Sequence, residues 1–293
     1  MFFFRLLSRL PLFILYRLAD FLYFLLYYLI GYRRAVVAAN IERSFPGASP
    51  KQRLLYQKGF YKNLADLIVE TIKLPSFTSA ELQQRVRYTN PEVVKQLLET
   101  SPVIITASHQ CNWELLPPAA LLNGFPADSV YKQLSSPFFE KLMRSIRSTF
   151  GANPIPMHQL LRDMVKRRNE KRLIALVADQ VPDIPENAYW TSFLHQDTPF
   201  YNGTEKLARS LKLPVVFVEM VRVRRGCYEA TFFPLAEPPY ETLPFGELLE
   251  RYRDQLERSI NAHPAEWLWS HKRWKHTREK LMGQGRLKRN REK

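Results

Sequence analysis

The sequence predicts an α/β fold: a central mixed sheet flanked by helices, preceded by a helical N-terminal extension that associates with a membrane. Three observations carry this expectation. From Pro102 onward short apolar runs alternate with helical stretches, the pattern of a sheet covered on both faces. Two long apolar runs then meet at Arg225-Gly226, and such a hairpin makes the sheet mixed. Finally, the first thirty residues are almost wholly aromatic or aliphatic, with Arg5, Arg9 and Arg17 interspersed. A chain of 293 residues, 46% of them hydrophobic, is long enough for one such domain with a sizeable core.

Met1 to Leu15 and Phe21 to Ile30 read as a membrane-associated helix. A spanning helix needs about 20 predominantly apolar residues. Arg17 and Asp20 interrupt this run, three apart on one helical face where they can pair. A helix lying in or dipping into the bilayer therefore ranks ahead of a full span, and both rank ahead of a cleaved signal: Gly31-Tyr32-Arg33-Arg34 follows, with no small-residue cleavage site. Burial as an amphipathic core helix is the remaining alternative.

Ser49-Pro50-Lys51-Gln52 has a capping serine, a proline at the first helical position and a glutamine three after the cap. A helix should start there and run to about Lys73. Thr78-Ser79-Ala80-Glu81 repeats the capping box, and Asn90-Pro91 opens a short helix that ends before Pro102. Val103 to Thr106 is the first strand, followed by a helix from about Asn112 to Leu122. Then come Ser129-Val130-Tyr131, a helix over Phe138 to Phe150, a helix over Gln159 to Arg168, and a buried strand over Leu173 to Ala178. After a long loop and a helix over Glu205 to Leu211, Val215 to Val223 and Cys227 to Phe233 form the hairpin. Ligands of such sheets bind beyond the strands' carboxyl ends. His109, Lys132 and Asp179 all lie just past such ends.

Lys and Arg number 43 against 28 Asp and Glu, a formal net charge of +15, which favours polyanionic surfaces: nucleic acid, anionic lipid or an acidic protein. Cys111 and Cys227 are the only cysteines, too few for a disulfide framework and without metal or redox spacing. Near the end Trp267, Trp269 and Trp274 interleave with Lys272, Arg273 and Lys275. That composition suits a membrane interface or single-stranded nucleic acid, and equally the packing of a terminal helix. Three regions result: a membrane-associating segment 1–31, a domain 32–281, and a basic tail 282–293 expected to be disordered.

His109-Gln110-Cys111-Asn112-Trp113-Glu114 puts an imidazole and a carboxylate five residues apart just beyond a strand. A carboxylate-oriented imidazole is a general base able to activate an alcohol or amine for attack on an acyl or phosphoryl centre. Lys132, Arg144 and Arg147 form a basic trio, and Arg144 and Arg147, three apart on one helix, can converge on one anion such as a phosphate. A solvated basic helix face is the alternative for Arg144. Asp179-Gln180 completes the set, although Asp179 is also placed to cap a turn.

With these residues in view the chain resembles the late acyltransferases of lipid A biosynthesis, the lauroyl and myristoyl transferase branch of the lysophospholipid acyltransferase-like superfamily. The resemblance runs through Tyr32-Arg33-Arg34, Asn40, Ser44-Phe45-Pro46, Phe60-Tyr61, Leu64, Asp66 and Glu70. It continues through His109 and Glu114, Tyr131-Lys132, Arg147 before Phe150-Gly151, Ala178-Asp179-Gln180 and the segment Pro264 to Trp274. It implies a glycerolphosphate-acyltransferase-like fold, no metal and no cofactor. It also implies a site on the cytoplasmic face of a Gram-negative inner membrane, an acyl carrier protein thioester (or acyl-CoA) donor, a phosphorylated glycolipid acceptor, and no nucleic-acid partner. By the same resemblance His109 is the base, Glu114 the carboxylate that orients it, Arg147 a phosphate contact and Asp179 a functional position, with Gln180 beside it a candidate for substrate binding. Where many relatives carry Arg after the strand tyrosine, this chain has Lys132, which turns a bidentate clamp into a point charge. The loop Pro182 to Thr198 departs from the family's pattern. Cys111 invites a covalent acyl-cysteine, but a small buried filler is the other reading. O-acylation of an aminolipid or lysophospholipid, or a non-catalytic basic membrane-tethered binding protein, are the competing functions.

Overall fold

The computed structural model describes residues 2–286, so the tail from 287 onward lies outside the described residues. Pro11 divides the N-terminal apolar stretch into α1 (Phe2–Ser8) and α2 (Leu12–Phe24), which a π-helical turn, Leu25–Leu29, extends. Proline supplies no backbone donor and pushes its predecessor out of helical conformation, so the single expected helix is broken here. Leu15 and Ala19, one turn apart, bury against Ala65 and Val69 of α4 (Pro50–Lys73), while Phe13, Leu18, Phe21 and Phe24 stay exposed. Asp20 does not pair with Arg17; its Oδ1 accepts from Arg225 Nη2 at 2.7 Å. The guanidinium already held by Asp66 reaches Asp20 from the hairpin turn.

Both capping boxes form. Ser49 N–H donates to Gln52 Oε1 at 2.8 Å and opens α4, and Thr78 N–H donates to Glu81 Oε2 at 2.8 Å and opens α5 (Ser79–Arg85). α3 (Arg34–Ser44) stands with these ahead of the main sheet, and α6 (Glu92–Leu98) follows the short strand Val86–Tyr88, its Val94 in the same core as Leu82 of α5.

The sheet has seven strands: β1 (Val86–Tyr88), β2 (Val103–Ala107), β3 (Ala127–Tyr131), β4 (Asn153–Pro156), β5 (Leu173–Val177), β8 (Val215–Arg224) and β9 (Cys227–Ala236). Their order is β1-β9-β8-β2-β5-β3-β4, with β8 and β9 antiparallel and every other pair parallel. The mixed α/β sheet matches the expectation. Val103–Ala107 is buried throughout, as a central parallel strand must be. β1 and β4 were not foreseen: one is three residues long, and the other carries Pro154 and Pro156, which an edge strand tolerates.

Helices cover both faces. Leu116, Ala119 and Ala120 of α7 (Leu116–Leu122) and Leu142 and Ile146 of α8 (Pro137–Arg147) pack with Ile105 and Ala107 in one core. Leu160 and Met164 of α9 (Leu160–Lys166) and Leu248, Tyr252 and Leu256 of α11 (Glu247–Ala262) pack with Ile104 and Ile174 in the other. Trp267, Trp269 and Trp274 belong to this second core, 2%, 0% and 8% exposed, which corrects the interfacial reading of their basic-aromatic spacing.

Part of the expected long loop is a separate hairpin, β6 (Tyr189–Phe193) and β7 (Gln196–Phe200), ahead of α10 (Gly203–Leu211). Leu194 and His195 both take positive φ, 49° and 64°, as a two-residue I′ turn requires. That turn ordinarily announces itself by Asn-Gly. Here burial of Leu194 and the bond from its N–H to Glu257 Oε2 (3.1 Å) hold it instead. α12 (Arg278–Gly283) follows the tryptophan segment.

Candidate active site

The parallel strands β2, β3 and β5 end at one edge of the sheet and deliver His109, Lys132, Asp179 and Gln180 to it. The β2 exit is clamped. Leu268 N–H donates to His109 O (2.9 Å), Cys111 N–H donates to Glu266 O (3.0 Å), and Gln110 bridges antiparallel to Trp267. Cys111 adopts φ 53°, a left-handed conformation uncommon for a residue with a side chain and tolerated where surroundings over-determine it. Beneath the loop Asn112 Nδ2 donates to buried Glu70 (3.0 Å), which also accepts from Tyr228 (2.8 Å) and from Tyr16 of α2 (3.0 Å). Burial raises the Glu70 carboxyl above its ordinary range, against the pull of these donors.

His109 Nδ1 lies 2.6 Å from Asp179 Oδ1, while Asp179 Oδ2 accepts the His109 backbone N–H (3.0 Å) and Trp267 Nε1–H (2.7 Å). Burial alone would raise this carboxyl. The charge and hydrogen bonds of His109, with the indole N–H, outweigh burial, and the net direction is down. An ionised Asp179 fixes the imidazole proton on Nδ1 and leaves Nε2 with a free lone pair. Gln180 Nε2 sits 3.1 Å from that nitrogen.

Glu114 is not the partner of His109. Its carboxylate is held by Arg147 in a bidentate pair, Nε to Oε2 at 2.8 Å and Nη2 to Oε1 at 2.6 Å, and it accepts Trp113 Nε1–H at 3.2 Å. The reason is local. Trp113–Leu115 turns as a 3₁₀ segment leading into α7, and Trp113, not Glu114, is brought edge-on to the imidazole at 4.7 Å. The expected convergence of Arg144 and Arg147 does not occur either: Arg147 turns inward over the Tyr131 ring, whereas Arg144 is exposed and does not line the cavity. Lys132 bonds Asp183 at 2.6 Å at the exposed rim. The structure thus gathers His109, Asp179 and Gln180 into one cluster, places Glu114 with Arg147 beside it and Lys132 at the rim, and leaves Arg144 outside.

Cys111 points the other way. Its thiol donates to Glu266 Oε2 (2.8 Å), and burial together with that carboxylate pushes its pKa well up. The neutral thiol is a buried filler, not a nucleophile.

A cavity of about 550 Å³ opens at His109 and runs over the sheet face. Ile105 and Ala107 of β2, Leu173, Ala175 and Val177 of β5, and Ala127 and Ser129 of β3 line it at two-residue spacing, so one face of the pleat is its wall. Leu116, Pro117 and Ala120 of α7 roof it, and the stacked rings of Tyr88 and Phe232, 5.1 Å apart, close it toward β1 and β9. Polar groups stand at the mouth: His109, Glu114, Lys132, Arg147, Gln180 and Tyr201. A deep apolar slot beneath a base suits a long hydrocarbon whose reacting end stops at the imidazole.

Two basic side chains of the tryptophan segment lie behind the dyad, Arg273 among them although its spacing read as interfacial. Arg273 is fully buried, donates Nη2 to Pro199 O (2.7 Å) and stacks over Phe200; burial lowers its pKa to about 10. His271 Nε2 accepts Val181 N–H (3.3 Å), and burial lowers its pKa to about 4. A histidine depressed from 6.5 gives stability that is full above the unfolded pKa and is lost as pH falls toward 4. From pH 7 to pH 5 this one group should cost about 2 kcal/mol of unfolding free energy. Urea titrations of the protein and of His271→Asn at both pH values check this. The variant should lose that part of the pH dependence, and equal slopes would refute the assignment.

The sequence profile of the bacterial lipid A biosynthesis acyltransferases matches residues 1–276. Among solved structures, the 1-acyl-sn-glycerophosphate (LPA) acyltransferase PlsC from Thermotoga maritima is similar at 14% identity and TM-score 0.36, over 87% of this chain and 97% of that one. No curated protein matches the chain significantly.

Proposed function

The chain belongs to the bacterial lipid A biosynthesis acyltransferase family and is an acyltransferase, and we propose that it moves a fatty acyl chain from an acyl carrier protein thioester to a hydroxyl of a phosphorylated lipid A precursor. One observation carries the proposal: the Asp179–His109 pair stands at the mouth of an apolar slot, with Nδ1 held by the carboxylate and Nε2 left as the acceptor that Gln180 now bonds.

His109 Nε2 takes the hydroxyl proton as the oxygen attacks the thioester carbonyl. The tetrahedral oxyanion collapses with expulsion of the thiolate, which recovers the proton from the imidazolium. Asp179 holds the ring and its charged form, a positioning role. Gln180 Nε2–H occupies the place the hydroxyl must take, so acceptor binding displaces that amide. Lys132 at the rim suits a phosphate of the acceptor as a point-charge contact. Arg147 is engaged by Glu114, so the pair serves as a rigid polar wall. The net charge of +15 suits the acidic donor protein and anionic lipid alike.

Family members are membrane-associated, and the 18-residue Leu12–Leu29 segment is apolar enough for membrane insertion by length and composition. Because α2 is fastened along α4 by Leu15 and Ala19 and by the Tyr16–Glu70 bond, we read it as lying in the cytoplasmic leaflet of the inner membrane and holding the cavity at its surface. The test incubates purified protein with acyl carrier protein thioesters of several lengths, a tetra- or penta-acylated lipid A precursor, and a lysophospholipid competitor. Mass-resolved product should appear on the lipid A precursor and vanish in His109→Ala. Product on the lysophospholipid alone would overturn the acceptor, and unchanged turnover in a folded His109→Ala would overturn the base.

A further inference from the structure

A second apolar surface lies beside the cavity mouth, apart from α2. Met157, Leu161 and Val165 follow one another at four-residue spacing into and along α9, and all three are exposed, so they form one stripe. Leu160 and Met164, a position before Leu161 and Val165, are buried in the core. The stripe is therefore the helix's outer side. Met157 lines the cavity mouth, as does exposed Leu134 on the adjacent strand exit. Phe138 and Phe139 at the start of α8 are exposed as well, 47% and 52%. Clustered large apolar side chains of this kind, rimmed by polar residues, mark a contact surface.

Two observations identify what they contact. The Phe138 ring meets Phe4 of α1 with centroids 6.1 Å apart, so the α8 part of the patch adjoins the exposed Phe3 and Leu6 of α1. Arg162 and Lys166, each next to a stripe residue, are exposed beside it. Apolar side chains flanked by cations are how a helix sits in a bilayer interface among anionic headgroups.

We propose that Leu134, Phe138–Phe139 and the Met157–Leu161–Val165 stripe are a second membrane contact, seated in a bilayer that carries anionic lipid. Resting on the membrane association proposed for α2, this contact extends the membrane-facing surface from the N-terminal helices to the cavity mouth. The mouth then opens at the bilayer surface, where the hydroxyl of a membrane-held acceptor reaches His109 while its own hydrocarbon stays in the leaflet and the slot is left to the donor chain. Arg162 and Lys166 hold the depth by staying at the headgroups.

The experiment uses the full chain with Cys227→Ser and Leu161→Cys, labelled at 161 with an environment-sensitive fluorophore; Cys111 is buried and does not compete. In phosphatidylethanolamine–phosphatidylglycerol vesicles brominated on the acyl chains, quenching at 161 should exceed that of a label at exposed Glu241, beyond the opposite sheet edge, by about threefold. Equal quenching at 161 and 241 would overturn the contact. Undiminished quenching when phosphatidylcholine replaces the anionic lipid would overturn the role of Arg162 and Lys166. No turnover is read, so failure here and failure of the acyl-transfer reading are separable.

Discussion

Asp179→Asn should lower kcat by roughly 10²–10⁴-fold with little change in KM, the scale on which a lost general base is felt. The size follows from which oxygen is which. Oδ2 receives two donors, the His109 N–H and the Trp267 indole N–H, so in the variant the amide oxygen must take that position. The amide nitrogen then faces His109 Nδ1, where it donates. The imidazole is forced into the tautomer with its proton on Nε2, and that nitrogen can no longer accept one from the acceptor hydroxyl. Glu114→Gln makes the contrast, since Glu114 touches Arg147 and Trp113 and leaves the dyad alone. Its loss should be smaller and should come with mobility of Arg147. Steady-state kinetics on both variants, after thermal melts have shown them folded, decide the matter. An Asp179→Asn enzyme near full kcat beside a dead Glu114→Gln enzyme would return the orienting role to Glu114.

The second large effect concerns donor length. Each methylene buried in the slot contributes about 0.8 kcal/mol, so two carbons that no longer fit change relative kcat/KM by roughly tenfold. Ala120 on α7 and Ala127 on β3 face the cavity from roof and wall. Ala120→Phe should therefore move the preferred donor to a shorter chain, with each further pair of carbons selected against by about that factor. Ala127→Leu should move preference the same way from the opposite wall. Competition among thioesters of graded length, with products resolved by mass, gives the ratios directly. Unaltered selectivity in both folded variants would mean the acyl chain lies elsewhere.

Much of the frame was legible because it rests on short-range rules. The capping residues Ser49 and Thr78 announce their helices by hydrogen bonds that span three positions, and the apolar runs of β2, β5, β8 and β9 announce buried strands. The placement of His109, Lys132 and Asp179 at one sheet edge follows from parallel strands alone. The partner of His109 did not follow. Glu114 is five residues away in sequence and Asp179 is seventy, yet β2 and β5 are hydrogen-bonded neighbours and their exits meet. No spacing rule within one segment contains that fact. The Leu194-His195 turn was hidden for a similar reason: its conformation is imposed by Glu257 and the core, with no turn residue to mark it. For the tryptophans the composition was ambiguous, and burial resolved it.

The backbone clamp between His109–Cys111 and Glu266–Leu268, with Trp267 reaching Asp179, has a bearing on how the molecule comes into being. A ribosome making this chain delivers the base, its carboxylate and the whole sheet well before residues 264–274 emerge. Until that segment docks, the loop after β2 lacks its backbone partners and Asp179 lacks one of its donors. Competence for chemistry is thus acquired only after residues 264–274 have followed the sheet out of the ribosome and closed over the base, with the N-terminal helices already available to the lipid.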